Sequence, residues 1–172
     1  YTADQAGNEL NHLYVREMDG SEIDLTPGED LKASFSGWSE NYDSFFVQTN
    51  ERDPRFFDVY EYELAEGYPR EMIFLNKEGF SPFQVSPDGQ FLALAELITA
   101  DNNNLHVQNL VSGERTLVTP HDGNVSSVPS DFSPDSASLY YTTDEGSEFQ
   151  QLMRYDIVSG DKEVVLALDW DI

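Results

Sequence analysis

The sequence predicts an all-β protein in which one structural unit is repeated along the chain. The turn-like stretch Val85-Ser86-Pro87-Asp88-Gly89 returns 47 residues later as Phe132-Ser133-Pro134-Asp135-Ser136, and Trp38-Ser39-Glu40 stands 47 residues before Val85. Each copy is followed by an apolar run of strand length. No stretch has apolar residues at the sustained spacing i, i+3, i+4, i+7, so we expect essentially no helix.

The chain starts within a unit. Tyr1-Thr2-Ala3-Asp4 has the same pattern as Tyr141-Thr142-Thr143-Asp144, which follows the third copy of the repeated turn. Residues 12–16 and 23–26 are then two short β-type runs separated by the turn signal Asp19-Gly20. We expect residues 1–31 to form an incomplete unit that lacks its first strand and half of its second.

Three complete units follow, at approximately residues 32–77, 78–125 and 126–172. Each contains four runs rich in aromatic and β-branched residues, which predict a four-stranded antiparallel meander. The period also holds beyond the turn, because Leu105 recurs as Leu152 and Ser112-Gly113 recurs as Ser159-Gly160. The last residues, 169–172, fall in the link to a further unit.

The composition of the repeated turn indicates an architectural role. Pro87 presets φ for the first corner, Asp88 can accept hydrogen bonds from nearby backbone amides, and Gly89 can adopt a positive φ. In the other copies Ser136 and the pair Asn41-Tyr42 replace this glycine, and asparagine tolerates a positive φ better than most residues.

Four-stranded units of about this length are typical of the blades of a β-propeller, in which they are arranged radially around a channel. We therefore predict a single partial propeller over residues 1–172, with about three and a half blades. A closed propeller has about four to eight blades, so this chain should end in open strand edges. Copies of the chain could associate through these edges.

The repeats resemble those of TolB-like proteins and of the prolyl oligopeptidase family. The resemblance to bacterial peptidases of that family is strongest at residues 131–135, 140–149, 154–156 and 169–171. It implies a parent protein with a separate α/β-hydrolase domain bearing Ser, Asp and His, with peptides as substrates. The propeller of such a peptidase covers the hydrolase site and restricts entry to short peptides. The alternative is a TolB-like binding or scaffold propeller with no enzyme attached.

Composition limits the classes of partner. The chain has 33 Asp plus Glu against 9 Lys plus Arg, a formal net charge of -24. This argues against nucleic acids and anionic membranes as partners, and it favours solubility over steering of cationic ligands. The sequence has no cysteine and no apolar run near the length of a membrane helix. We expect a soluble bacterial protein, of cytoplasm or periplasm, whose compartment the sequence leaves undetermined.

Ser39 is the first candidate for catalysis, because Gly37-Trp38-Ser39-Glu40-Asn41 approaches the Gly-x-Ser-x-Gly nucleophile elbow of hydrolases. The second glycine is missing, and a strand follows where the elbow requires a helix. The 47-residue register also places Ser39 in the same slot as Ser86 and Ser133. We predict that Ser39 is a turn residue.

The remaining candidates also favour structural interpretations. We expect His12, His106 and His121 to be surface or packing residues, since no motif pairs them with an activated serine. Asp101-Asn102-Asn103-Asn104 lacks the ligand spacing of a calcium loop and is predicted to be a polar strand connection. Glu61 with Glu63, and Asp144-Glu145 with Glu148, could be paired channel carboxylates of a carbohydrate enzyme. Such pairs arise easily in an acidic chain. We therefore assign no catalytic residue, cofactor or metal to this chain.

Overall fold

The computed structural model describes residues 1–170. In these residues all regular secondary structure is β-strand, and no helix is present, which confirms the predicted all-β class. The strands form four antiparallel sheets, one of three strands and three of four strands. The final two residues of the predicted unit 126–172 lie outside the described residues. The proposed unit boundaries and the single partial propeller remain predictions.

Residues 1–79 form one compact unit that contains two sheets. The first sheet has the order β1-β2-β3, with β1 at Thr2–Ala3, β2 at His12–Arg16 and β3 at Glu22–Asp24. The second has the order β4-β5-β6-β7, with β4 at Ala33–Trp38, β5 at Ser44–Asp53, β6 at Phe56–Glu63 and β7 at Arg70–Phe74. The first sheet thus has three strands, one fewer than the second.

The core of this unit consists of apolar and aromatic side chains from both sheets. Its buried members are Leu13, Leu31, Ala33, Phe45, Val47, Tyr60 and Tyr62. Phe45 and Tyr62 come from paired positions of β5 and β6, and their rings stack with centroids 5.4 Å apart. Alternation along each strand places one set of side chains in this core and the other set on the opposite face.

The second compact unit begins at Phe80 and also contains two sheets. The first has the order β8-β9-β10-β11, with β8 at Ser81–Val85, β9 at Phe91–Thr99, β10 at Asn102–Asn109 and β11 at Arg115–Leu117. The second has the order β12-β13-β14-β15, with β12 at Ser127–Phe132, β13 at Ser138–Thr143, β14 at Gln151–Asp156 and β15 at Lys162–Leu166. Its core consists of Ala93, Leu105, Val107, Val118, Phe132, Leu139, Tyr141 and Tyr155.

Each complete sheet has an irregularity at the same place in its first hairpin. The pairing register shifts between Phe35 and Gly37 in β4, between Pro82 and Val85 in β8, and between Pro129 and Asp131 in β12. A bulge increases the local twist and bends the strand that carries it. The sequence period of 47 residues therefore extends to a backbone irregularity that the side-chain pattern did not predict.

The positive φ of the repeated turn falls on Gly89, Ser136 and Tyr42, at 71°, 58° and 57°. The sequence left Asn41 and Tyr42 as joint replacements for the glycine, with asparagine the better suited. The structure selects Tyr42 because the number of residues between the strands, and not side-chain preference, decides which residue occupies this corner. Tyr42 is therefore a bulky residue in a left-handed conformation that favours glycine.

Candidate functional site

The three serines of the repeated turn make the same hydrogen bonds. Each hydroxyl accepts a hydrogen bond from the backbone N–H of the residue that begins the second strand: Ser44 to Ser39 at 3.0 Å, Phe91 to Ser86 at 2.9 Å and Ser138 to Ser133 at 2.9 Å. Each also donates to a carboxylate of the turn: Asp43 at 2.9 Å, Asp88 at 2.6 Å and Asp135 at 2.6 Å. The serine hydroxyl thus links the turn to the first residue of the second strand through hydrogen bonds.

Ser39 lies in a strand-to-strand turn, between β4 and β5. Its hydroxyl bonds Asp43 and the backbone of Ser44, whereas a nucleophile elbow leads from a strand into a helix. In the third copy of the turn, the hydrogen bond from Ser133 is the main cause that lowers the pKa of Asp135. Hydroxyl and carboxylate in this slot form a local turn motif.

The three histidines have different partners. His12 is buried in β2, with Nδ1 2.8 Å from Asp24 Oδ2. In β10, His106 places Nε2 3.3 Å from Glu96 Oε2, and its ring meets Phe80 edge to face. His121 places Nδ1 2.8 Å from the carbonyl oxygen of Thr119 and Nε2 2.9 Å from Asn102 Oδ1.

The prediction that residues 101–104 form a strand connection is wrong for Asn102, Asn103 and Asn104, which lie in β10, and polar side chains of this segment bond other parts of the chain. Asn103 forms two hydrogen bonds with the backbone of Ser127, one donated by Nδ2 at 2.5 Å and one accepted by Oδ1 at 2.9 Å. Asp101 accepts hydrogen bonds from Thr99 and Asn124, and Asn104 donates to Glu96. Within residues 1–170, no group of three or more His, Asp or Glu side chains is arranged to hold a metal ion.

Glu61 and Glu63 line an open cleft of about 350 Å³ together with Asp43, Ser44, Leu64 and Ala65. Ser44 Oγ donates to Glu61 Oε1 at 2.5 Å. In the neighbouring strand Glu71 is the residue paired with Glu61. The structure thus gathers acidic side chains at this edge, but an accumulation of carboxylates in an acidic chain does not by itself define a catalytic pair.

Asp144, Glu145 and Glu148 follow β13. Asp144 Oδ1 accepts a hydrogen bond from the backbone N–H of Ser126 at 2.8 Å, and the Asp144 N–H donates to the Ser126 carbonyl at 3.3 Å. Asn50 makes the same pair of hydrogen bonds with Lys32, at 2.6 Å and 3.2 Å. Asp144 therefore joins the end of the second strand of its sheet to the segment before the first strand. Asn50 does the same two repeats, or 94 residues, earlier.

Two polar clusters were not found by sequence reasoning. Asp58 is fully buried and accepts from Arg52 Nε at 2.6 Å, Arg52 Nη2 at 2.9 Å and the Asn76 N–H at 2.8 Å. These bonds to Asp58 are the main cause that raises the pKa of Arg52. Arg70 lies over the rings of Tyr60 and Tyr62, at 4.6 and 5.6 Å, and binds Glu51 at 2.8 Å. No motif in the sequence links these residues, because each cluster joins different strands.

The described residues contain no helix long and apolar enough to cross a membrane. Consecutive antiparallel sheets with a shared turn, bulge and hydrogen-bond pattern define a β-propeller repeat protein. The family model described as the N-terminal β-propeller domain of prolyl oligopeptidase matches residues 1–168. This chain belongs to that family.

One curated relative is the dipeptidyl aminopeptidase BIII of Pseudoxanthomonas mexicana, which is 26% identical over 170 residues. The match covers 96% of this chain and 24% of the relative, so the chain spans about a quarter of the length of that relative.

Solved structures show the same fold at low identity. TolB from Acinetobacter baumannii has a TM-score of 0.64 at 19% identity, over 91% of this chain and 38% of that one. A structure from a study of two prolyl endopeptidases has a TM-score of 0.65 at 16% identity, over 93% and 25%. Prolyl oligopeptidase B from Galerina marginata also has a TM-score of 0.65, at 12% identity, over 96% and 24%.

Proposed function

We propose that this chain is the non-catalytic propeller portion of a serine peptidase of the prolyl oligopeptidase family. The observation that carries the proposal is the family match over residues 1–168. In the parent protein a separate α/β-hydrolase domain supplies the nucleophile. The propeller covers the hydrolase site and limits access to short peptides. The chain itself hydrolyses nothing.

The internal bonding of the candidate residues supports a non-catalytic role. Ser39 is engaged by Asp43 and Ser44, and His12 by Asp24. A serine nucleophile needs a base within hydrogen-bond reach of its hydroxyl. The carboxylate that Ser39 has at this distance is that of Asp43 in its own turn, and Ser86 and Ser133 likewise donate to a carboxylate of their own turns, two residues further on.

A serine-reactive fluorophosphonate probe tests the catalytic part of this proposal. We expect stoichiometric labelling of the parent protein at a serine within a Gly-x-Ser-x-Gly elbow, and no labelling of residues 1–172. The matched control is Ser39→Ala, which should leave labelling and peptidase activity of the parent unchanged. Labelling at Ser39 would overturn the proposal.

Access is tested separately with a series of peptide substrates of increasing length that share one cleavable bond. A covering propeller should cause kcat/KM of the parent to fall steeply beyond a limiting length. Equal kcat/KM for short peptides and for an unfolded protein substrate would contradict the covering role.

The second candidate function is a TolB-like binding or scaffold propeller, which the structural similarity to TolB supports as a fold. A parent polypeptide with no nucleophile elbow and no reaction with the probe would favour this alternative. The two candidates predict the same blades and differ in what the rest of the polypeptide contains.

A further inference from the structure

A cleft of about 290 Å³ lies between the two sheets of the second compact unit, beside the turns that lead from the third strand of each sheet to the fourth. Each of these sheets has its full four strands. Phe91 and Val107 of one sheet and Ile157 of the other give the cleft an apolar lining. Sites for drug-sized ligands occupy about 300–1,000 Å³, so a cleft of this size holds one side chain and the backbone beside it.

Tyr155 lines this cleft and has a hydroxyl group without a partner. The residue is 6% exposed, and its hydroxyl makes no hydrogen bond with any part of residues 1–170. A side chain at Gly160 would place its Cβ 3.8 Å from this oxygen, so the hydroxyl lies beside the turn at the mouth of the cleft. Unlike the hydroxyl of Tyr141, that of Tyr155 keeps access to solvent. An unpaired polar group in such a position can be satisfied by a ligand.

The internal repeat shows how the same hydroxyl is bonded in the first unit. Tyr62 pairs with Phe45, and Tyr155 pairs with Leu139, which stands 94 residues, or two repeats, after Phe45. The two tyrosines are therefore equivalent. The hydroxyl of Tyr62 donates to a backbone carbonyl at 3.1 Å and accepts from Arg70 at 2.8 Å. Tyr155 makes neither hydrogen bond.

The first unit also has a corresponding cleft, of about 490 Å³, beside the same two turns. There Tyr68 of one sheet donates a hydrogen bond to Glu17 of the other at 2.7 Å, so the protein itself spans the cleft. In the part of the chain that the structure describes, no hydrogen bond joins residues 109–114 to residues 157–161. The cleft of the second unit is therefore left open.

The charges around the open cleft favour a basic ligand. Its described lining contains one carboxylate, that of Glu114, and no lysine or arginine. Glu114 forms no ion pair within residues 1–170. Asp161 lies in the adjacent turn, and Lys162 follows it outside the lining. A cation that approaches this chain of net charge -24 is attracted at long range and can pair with Glu114 at the cleft.

We propose that the cleft of the second unit binds an extended peptide segment of a partner protein in which an apolar residue is followed by lysine or arginine. The apolar side chain enters between Val107 and Ile157, and the basic side chain pairs with Glu114. The hydroxyl of Tyr155 forms a hydrogen bond with the backbone of the segment. The cleft and its ligand do not depend on the proposed peptidase activity.

Fluorescence anisotropy with a fluorescein-labelled peptide, Gly-Ser-Leu-Lys-Ser-Gly amide, tests the proposal on the parent protein. The protein is first treated with the fluorophosphonate probe, so that no active serine cleaves the peptide. We expect saturable binding. Replacing leucine by serine in the peptide, or lysine by glutamate, should raise Kd roughly tenfold, because each change removes one of the two anchors.

Substitutions in the protein locate the binding site. Thr116 is exposed and lines the cleft, so Thr116→Arg should keep the fold, fill the cleft and raise Kd roughly tenfold. The matched control is Ile23→Arg in the cleft of the first unit, because Ile23 pairs with Val15 as Thr116 pairs with Val107. This control should leave Kd unchanged. Tyr155→Phe should raise Kd several-fold without loss of thermal stability.

Three results would overturn the proposal. One is the absence of saturable binding of the leucine-lysine peptide up to about 1 mM. Another is an equal Kd for wild type and Thr116→Arg. The third is an equal rise in Kd for Ile23→Arg, which would show that the peptide does not select the cleft of the second unit. Labelling of a serine by the probe is scored separately, so this proposal and the proposed function can fail independently.

Discussion

At the scale of single residues, the repeated turn places the same backbone demand on three different amino acids. Gly89 meets the positive φ without steric cost, and Ser136 meets it while its hydroxyl accepts the backbone N–H of Asp88 at 3.1 Å. Tyr42 meets it with 69% of its surface exposed. The left-handed conformation costs a residue with a Cβ about 1–2 kcal/mol. Tyr42 is the largest of the three residues in this conformation, and its ring lies 6.3 Å from that of Trp38.

Replacing Tyr42 by glycine should therefore stabilise the chain. We expect Tyr42→Gly to raise the free energy of unfolding by about 0.5–1 kcal/mol, after the greater unfolded-state entropy of glycine is deducted. Urea denaturation measures the change. The matched control is Asn41→Gly, which removes no strain, because Asn41 is not among the positive-φ residues, and should be neutral or destabilising. A gain at Asn41 and not at Tyr42 would contradict the assignment of the corner.

Tyr141 lowers the stability of the folded state for a different reason. Its side chain is fully buried in the core of the second unit, and its hydroxyl has no hydrogen-bond partner within residues 1–170. A buried hydroxyl without a partner costs about 1–3 kcal/mol. We expect Tyr141→Phe to stabilise the chain by up to this amount, measured by urea denaturation at neutral pH. Tyr140→Phe, one residue away and on the opposite face of β13, should change stability little. A large loss in Tyr141→Phe would reveal a partner that the hydroxyl uses.

The same tyrosine predicts a dependence on alkaline pH. Burial raises the pKa of Tyr141 and of Tyr60 to about 12 from the ordinary value of 10.0. A folded-state pKa above the unfolded value means that stability is fully present below pH 10 and is lost as pH rises from 10 towards 12. The decline should be shallower in Tyr141→Phe than in wild type. Equal slopes would show that Tyr141 ionises as readily in the folded state as in the unfolded state.

At the scale of the strand, the buried carboxylate of Asp58 joins three parts of one sheet. It binds Arg52 of β5 through two hydrogen bonds and the Asn76 N–H beyond β7, while Arg52 also donates to the Asn76 carbonyl at 2.7 Å. A pair of charges taken from water contributes little net stability when intact, but removal of one partner leaves buried groups unsatisfied. The cluster fixes where the outer strand ends.

We expect Asp58→Ala to reduce the free energy of unfolding by about 3–5 kcal/mol. Chemical denaturation measures the loss, and hydrogen exchange should show faster exchange at the Asn76 amide. The comparison is Asp53→Ala, whose carboxylate binds the exposed Arg55 and should contribute much less. Similar small losses in both variants would mean that water or another side chain replaces Asp58.

At the scale of the whole molecule, the net negative charge affects the stability of the folded state. With a net charge of -24, repulsion among exposed carboxylates destabilises the folded state, and dissolved salt screens it over roughly 8–10 Å. We expect the midpoint of urea unfolding to rise as sodium chloride is added. Urea is the appropriate denaturant because it adds no ions of its own. A midpoint that falls with salt would show that ion pairs such as those of Arg52 and Arg70 outweigh the repulsion.

Much of the architecture could be predicted from the sequence because the determinants are local. Strand order, the four sheets and the corner serines follow from a repeat of 47 residues and from turn composition. The argument against a nucleophile elbow at Ser39 was also local, because it depended only on the strand that follows the serine in the sequence. Sequence reasoning did not find the Asp58 and Arg70 clusters, whose members lie on separate strands.

By itself, then, the sequence determined the repeat, the β class and the structural slot of Ser39. Only the tertiary structure decided that Tyr42 occupies the strained corner, that Asp144 joins two strands, and that Trp38 is exposed while Phe132 is buried. The physical reason is that a period in the sequence specifies which residues occupy equivalent positions. Burial and hydrogen bonding depend on which neighbouring strand covers each position, and β4 and β12 have different neighbours.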